Sequence, residues 1–351
     1  MNSIRVNINQ NPISYDIVVG NNVIKDSLKN IKNYNKALII YDFSINSDVI
    51  ELIKSIIKDN DIIVDAKAVD LYDSPKSTST FISISDYLSF NNYNRDCLLI
   101  SLGGGSIGDL VGFLASTYQR GVDYIQIPST LLSMIDSSIG GKTGVDTKYG
   151  KNLIGSFYHP VLVIIDTLLL SSLDKKELNS GLFEVLKYAI LFDQELFDFI
   201  DTNLDNILNP DIINKIINDC CAMKVKIIED DEKDLGDRKK LNFGHTIGHA
   251  IETKYGLRHG ESVGYGMLCA ISISNQVGTL SNSSYDKIKN VIKRLYLPLL
   301  NPDVNLIMNQ LSKDKKVVGG KNQFILLNDI GNSYISTDID KDIIKKSILS
   351  L

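Results

Sequence analysis

Three of the chain's four histidines, His245, His249 and His259, fall within fifteen residues. The stretch around them, Leu241–Met267, reads LNFGHTIGHAIETKYGLRHGESVGYGM and sets a glycine beside each, at Gly244, Gly248 and Gly260. Asn242 to Tyr255 reads as a helix that stops at Gly256. The i, i+4 spacing puts His245 and His249 on one face. His259 follows in a turn that can fold back toward that face. Neutral imidazole is the commonest metal ligand among side chains, and three protein ligands with an open position make a catalytic zinc site. Packing or capping is the other use of such a pair. A carboxylate from elsewhere can supply one of the three ligands, and Glu184 is a candidate for it.

A second chemical feature is the glycine run Gly103 to Asp109, GGGSIGD, which follows the apolar strand Cys97–Leu102 and precedes a helix, Leu110–Thr117. Gly103, Gly105 and Gly108 match G-x-G-x-x-G. Between a strand and a helix, such a run lets bare backbone approach a pyrophosphate at a helix N-terminus. Gly104, Ser106 and Asp109 complete the candidate cofactor turn. Asp42, at the end of the apolar strand Lys36–Tyr41, sits where an acid often meets a ribose hydroxyl. The stretch Ser129 to Asp146, with Thr130, Asp136, two glycines and Lys142, reads as a hydroxyl-rich loop. With Lys151 and Asn152 close behind, it has the composition of an anion cradle.

The elements that must carry these residues alternate in the first half. Strands are expected at Ser3–Ile8, Tyr15–Val19, Lys36–Tyr41, Ile62–Val69, Cys97–Leu102, Val122–Ile127 and Val161–Ile165, with helices between them. That alternation is the pattern of an α/β domain with a mainly parallel sheet. After Asp166 the period turns helical, with helices at Leu173–Leu191 and 211 to 230, and a strand pair, Gln323–Asn328 and Ser333–Ser336, comes near the end. A length of 351 residues suggests two domains. The expected division is a nucleotide-binding α/β domain over 1–170 and a mostly α-helical, metal- and substrate-binding domain over 171–351.

The net charge of −5 argues against a nucleic-acid or anionic-membrane surface. Cys97, Cys220, Cys221 and Cys269 include no C-x-x-C pair and make no disulfide framework. The first residues lack an apolar signal region, and no stretch has transmembrane length, so a cytoplasmic protein is expected.

Taken together, GGGSIGD, PSTLLSMIDSSIGGKTGVD, GKNLIGSFYHP, EVLKY, LNFGHTIGHAIE and HGESVGYGM resemble the 3-dehydroquinate synthases in order and spacing over nearly the whole chain. More distantly they are similar to other sugar-phosphate cyclases and to the metal-dependent polyol dehydrogenases of the same two-domain fold. The resemblance implies a phosphorus–oxygen lyase that converts 3-deoxy-D-arabino-heptulosonate 7-phosphate to 3-dehydroquinate and phosphate. That reaction belongs to the shikimate pathway, toward chorismate and the aromatic amino acids. It also implies NAD that is reduced and reoxidised within one turnover, one divalent metal (Zn or Co), and a homodimer. The substrate alcohol is oxidised, phosphate is eliminated, the hydride returns, and an intramolecular aldol closes the ring.

By the same resemblance the metal ligands are Glu184, His245 and His259, and His249 faces the substrate. Asp136, Lys142, Asn152, Lys187, Lys224, Arg238 and Asn242 match substrate-contacting positions. Of these, Asp136, Lys142, Lys187 and Asn242, with His249, form the expected catalytic set. Arg120 matches an arginine that reaches the phosphate across a dimer interface, and Lys313 or Lys315 a further phosphate lysine. The cofactor set gains Asp73, Lys76, Ser129, Thr130, Lys151 and Ser172. Where the family usually has Gly-Glu-x-x-Lys, Thr-Thr and Thr-Leu-Pro, this chain has Asp73-Ser-Pro-Lys76, Ser129-Thr130 and Ser172-Leu173-Asp174. Each keeps the chemical type of the contacting group, with Asp73 of shorter reach.

Three other readings share these residues: a polyol oxidoreductase, a sister cyclase acting on another sugar phosphate, and a non-catalytic NAD-binding regulator. Lys142, Lys151, Asn152, Lys224 and Arg238 are more than a neutral polyol needs. Lys224 and Arg238 suit a substrate carboxylate, and the Glu184, His245 and His259 set argues against a regulator.

Overall fold

The computed structural model describes residues 14–70, 75–234, 236–313 and 322–351. The expected strand Ser3–Ile8, Asp73 and Lys315 lie outside these residues. The first half runs β1 (Asp16–Gly20), α1 (Val23–Leu28), β2 (Lys36–Asp42), α2 (Ser47–Lys58), β3 (Ile63–Val69), α3 (Thr78–Phe90), β4 (Cys97–Gly103), α4 (Gly105–Thr117) and β5 (Asp123–Pro128). It continues through β6 (Lys142–Thr147), β7 (Gly150–Phe157) and β8 (Leu162–Asp166). The second half holds α5 (Lys175–Phe192), α6 (Gln194–Asn203), α7 (Pro210–Asp230), α8 (His245–Tyr255), α9 (His259–Gln276), α10 (Asn282–Arg294) and α11 (Val304–Lys313). The strands β9 (Phe324–Asp329) and β10 (Asn332–Ser336), and α12 (Lys341–Leu349), close the described chain.

Six strands form one parallel sheet in the order β1-β8-β5-β4-β2-β3. Its central strand β4 is buried at all seven positions, as a strand covered on both faces must be. Alternate side chains enter different layers. Ala37, Ile39, Leu98 and Ile100 join the apolar cluster of α1, α2, α5 and α7. Leu38, Ile40 and Leu99 join that of α3 and α4. Each fully buried Leu or Ile contributes about 1.5–3 kcal/mol, so two such layers hold the sheet's carboxyl edge rigid. At that edge Gly103 pairs in register with Pro128, and a Cβ on Gly103 would come within 3.3 Å of the Asp42 Cβ. Ligands of open α/β sheets bind along this edge.

Four local readings change. The helix after the glycine run begins at Gly105, so Gly105–Asp109 form its first turns. The hydroxyl-rich loop becomes a short π-type turn, Ser133–Ser137, followed by an antiparallel hairpin of β6 and β7, and Lys142 opens β6. Asn242 ends a 3-10 turn, Asp237–Asn242, and is not part of α8. His259 is the first residue of α9, not part of a turn. In the last three cases short polar segments carried no period to read.

The second half brings α5, α8 and α9 together by removing side chains from their contacts. A Cβ on Gly260 would lie 1.9 Å from the Ser180 carbonyl oxygen, and one on Gly266 1.8 Å from that of Gly244. Gly244, at φ +75°, turns the chain into α8. These close backbone approaches carry His245 and His259 up to Glu184 in the middle of α5.

Candidate active site

A cavity of about 540 Å³ opens where α4, the β6–β7 hairpin, α5, α7 and the turn Asp237–Asn242 meet. Asp136, Lys142, Asn152, Lys187, Lys224 and Arg238 line it, with Asp109, Asn242 and His245 completing the polar wall.

Glu184, fully buried on α5, meets His245 from the start of α8 and His259 from the start of α9. Its Oε1 lies 3.6 Å from His245 Nε2 and 3.4 Å from His259 Nε2. Ligand atoms bound at about 2.0–2.1 Å to a tetrahedral ion lie roughly 3.4 Å apart, so these spacings fit a metal. Lys187 forms an ion pair with Oε2, and among the described residues the carboxylate makes no well-angled hydrogen bond. The Nδ1 atoms are engaged elsewhere, at 3.0 Å from the Phe243 carbonyl for His245 and 3.0 Å from Glu252 Oε2 for His259. Both Nε2 atoms are thereby left for the shared point.

His249, Glu252 and His259 also present ligand atoms within 4.8 Å of one another. Within this group His259 Nδ1 and Glu252 Oε2 are 3.0 Å apart, a hydrogen-bond distance and shorter than the roughly 3.4 Å between two ligands of one tetrahedral ion. The imidazoles of His245 and His249 stand edge to face with centroids 5.2 Å apart. His245 and His259 stand in much the same way at 5.1 Å, so it is the Glu184 oxygen, 3.6 and 3.4 Å from their Nε2 atoms, that singles out His245 and His259.

Charge in the site is mutually compensated. Burial works against the Glu184 carboxylate, but Lys187 and His245 outweigh it and hold its pKa well below the usual range. Burial drives the His245 pKa well down, with Glu184 opposing it. Burial also opposes protonation of His259, but Glu184 and Glu252 raise its pKa to about 9. Asp136 pairs with Lys224, and its other oxygen is 3.8 Å from Lys187. Burial would raise the Asp136 pKa, yet the two ammonium groups hold it at about 2.

Arg238 is buried and gripped by backbone: Nη1 donates to the Glu232 carbonyl and Nη2 to the Gly140 carbonyl at 3.3 Å. Gly140 has φ +101°, and a Cβ there would collide with Nη2. Lys142, half exposed, pairs with Asp234. Lys76 Nζ bridges Asp109 Oδ2 and Asn152 Oδ1, each at 2.6 Å.

The expected cofactor residues gather at the sheet edge in part. Ser129 donates its N–H to the Gly103 carbonyl at 2.9 Å, Thr130 packs on Gly104, and Asp42 is buried beside Gly103. Gly105 and Ser106 begin α4. Ser172 spends its hydroxyl on the Leu169 carbonyl, and Lys151 is exposed and paired with Glu252 at 3.1 Å. Arg120 stands apart from the cavity, exposed on the turn Tyr118–Arg120 with φ +64°. Lys313 ends α11.

Sequence reasoning missed Glu252, Asp234 and Tyr188. Tyr188 donates to Asp136 Oδ1 at 3.2 Å. Glu252 was findable, because it follows His245 and His249 at i+7 and i+3 on the same helix face. Asp234 was hidden in a run of charged residues.

The chain matches the family description 3-dehydroquinate synthase N-terminal over residues 67–180 and 3-dehydroquinate synthase C-terminal over 181–317. A 3-dehydroquinate synthase of Vibrio atlanticus (strain LGP32) is 38% identical over 356 aligned residues, covering 98% of each chain. This chain belongs to the 3-dehydroquinate synthase family. Solved structures in the same fold include 2-epi-5-epi-valiolone synthase from Streptomyces hygroscopicus subsp. jinggangensis 5008, with NAD+ and Zn2+ bound. It has a TM-score of 0.88 and 27% identity, covering 99% of each chain. A 2-deoxy-scyllo-inosose synthase complexed with carbaglucose-6-phosphate, NAD+ and Co2+ shares the fold at TM-score 0.87 and 24% identity, covering 96% of each chain. The parallel sheet followed by helices is thus the architecture of 3-dehydroquinate synthase-like enzymes, as the sequence resemblance implied. Among the described residues no helix is long and apolar enough to cross a membrane.

Proposed function

We propose that this chain converts 3-deoxy-D-arabino-heptulosonate 7-phosphate to 3-dehydroquinate and phosphate as a phosphorus–oxygen lyase of the shikimate pathway. The observation that carries this reading is the convergence of Glu184, His245 and His259 beside a cavity lined by Lys142, Lys187, Lys224 and Arg238. Three ligands next to four cations suit a substrate that is an alcohol bearing two anionic groups, a carboxylate and a phosphate.

Glu184, His245 and His259 would hold the divalent ion, Zn or Co. The glycine turn Gly103 to Ser106, with Asp42, Asp109, Ser129 and Thr130, would hold NAD at the sheet edge. When bound, NAD supplies a reversible hydride acceptor and the metal a Lewis acid for a substrate oxygen. Everything else is positioning by this chain. Lys224 and Arg238 take the substrate carboxylate, and Arg238's planar fork suits it. Lys142 and Asn152 hold the phosphate and offset its charge as the C–O bond breaks. Asp136 orients Lys224 and Lys187, and Tyr188 fixes Asp136. His249 and Asn242 face the substrate. Arg120, exposed and outside the cavity, serves the phosphate site of a second copy in a cytoplasmic homodimer. A site that holds reacting groups in register needs few dedicated bases.

The test is chelation of the metal followed by add-back. Activity is lost with chelator and returns with Zn²⁺ or Co²⁺. His259→Ala fails to recover metal, whereas His249→Ala binds metal and does not turn over. Full activity in metal-stripped protein defeats the assignment, and equal metal loss in both variants restores the i, i+4 pair.

A further inference from the structure

The two histidines beside Glu184 have their second ring nitrogens fixed by different means. His245 Nδ1 faces a backbone carbonyl, that of Phe243, at 3.0 Å. His259 Nδ1 faces a side chain, Glu252 Oε2, at 3.0 Å. Glu252 comes from α8, one turn beyond His249, and has no place in the function proposed above. Its other oxygen, Oε1, accepts from Lys151 Nζ at 3.1 Å. Lys151 lies on β7, in the hairpin of the first half. The carboxylate is therefore held at both ends and mostly buried, at 21% side-chain exposure.

We infer that Glu252 is a positioning residue for the metal centre, aligning His259 Nε2 on the point it shares with Glu184 and His245. This rests on the metal-site reading given above. For Nε2 to offer a lone pair to an ion, the proton of the neutral ring must sit on Nδ1, and that N–H needs an acceptor. Glu252 is that acceptor, and its charge raises the basicity of the ring it holds. His259 is the first residue of α9 and its side chain is 34% exposed. Without Glu252 its ring has fewer constraints than that of His245, whose acceptor is main chain. Glu252 is an outer partner of the metal and not a ligand. Its oxygen stands at hydrogen-bond distance from His259 Nδ1, while Nε2 of the same ring points to Glu184 Oε1 at 3.4 Å.

The experiment titrates metal-stripped wild type, Glu252→Ala, Glu252→Gln and Glu184→Gln with Co²⁺ against a chromophoric chelator, recording the visible cobalt spectrum. Thermal unfolding of each variant checks its fold. Loss of an outer partner of a metal-bound histidine costs 10- to 100-fold in affinity. Glu252→Ala is expected to show that loss with the wild-type cobalt spectrum. Glu252→Gln, which keeps an acceptor of the same shape, recovers part of it and serves if the alanine variant does not fold. Wild-type affinity in both Glu252 variants, beside abolished binding in Glu184→Gln, overturns the role of Glu252 alone. Loss beyond a thousandfold with a changed spectrum makes Glu252 a ligand and also overturns it. Tight binding in Glu184→Gln removes the metal-site reading itself, and this inference with it.

Discussion

Lys224 donates to Asp136 twice, once to the carboxylate Oδ1 and once to that residue's own main-chain carbonyl. The long helix α7 is thereby tied to the π-type turn Ser133–Ser137, and the cavity gains its floor. Lys224 is 3% exposed and Lys187 1% exposed, so carboxylates rather than water compensate most of their charge. Removing one member of a buried pair leaves an uncompensated charge and costs about 3–5 kcal/mol. Asp136→Asn is expected to fall near the low end, because the Asp136 side chain is itself 26% exposed. Urea unfolding of wild type and variant, compared at constant slope, measures it.

The same carboxylate sets an acid limb of stability. Its pKa is held at about 2 in the fold, against an ordinary 3.8. The unfolded chain therefore binds the proton first as pH falls. The contribution is complete above the ordinary value and is lost as pH drops through about 2. A depression of this size corresponds to about 2 kcal/mol. Unfolding free energy measured from pH 6 down to pH 3 should decline in wild type and decline less in Asp136→Asn. Parallel curves would show that the buried lysines do not perturb Asp136.

Lys142 opens β6 and is half exposed, with Asp234 as its partner. A mobile ammonium suits a phosphate that must bind and then leave. Lys142→Ala should remove a charge-assisted contact worth roughly 1.5–3 kcal/mol, about ten- to a hundredfold in kcat/KM. If the contact tightens as phosphate departs, kcat falls too. Metal content and NAD+ affinity should stay near wild type. Steady-state kinetics beside a metal assay and an NAD+ titration decide it, and wild-type kinetics would leave Lys142 as only the partner of Asp234.

Much of this was legible in the residues. The strands β2, β4 and β8 read directly as apolar runs, because burial on both sheet faces leaves no room for alternation. The glycines beside the histidines were visible in the sequence, and their use, close packing such as Gly260 against Ser180, came only with the structure. Helical spacing, however, reports only one helix. It paired His245 with His249, whereas the carboxylate that meets His245 and His259 comes from α5, far off in the chain, and only tertiary contact or a family resemblance can join it. The β6–β7 hairpin escaped because Gly144, Gly155 and Ser156 blur its period, and these small residues are there so that two strands and α4 can touch. Glu252 escaped because a carboxylate on an exposed-looking helix face reads as solvated until its partners are seen.

The most direct measurement supplies 3-deoxy-D-arabino-heptulosonate 7-phosphate to the Zn²⁺-loaded protein with NAD+ below the substrate concentration. Phosphate, 3-dehydroquinate and the absorbance of NADH are followed together. The account predicts one phosphate and one 3-dehydroquinate per substrate consumed, many turnovers per NAD+, and no net NADH. Oxidation that stops when NAD+ is exhausted, with NADH accumulating one for one and phosphate still on the sugar, would contradict it and make the protein a dehydrogenase.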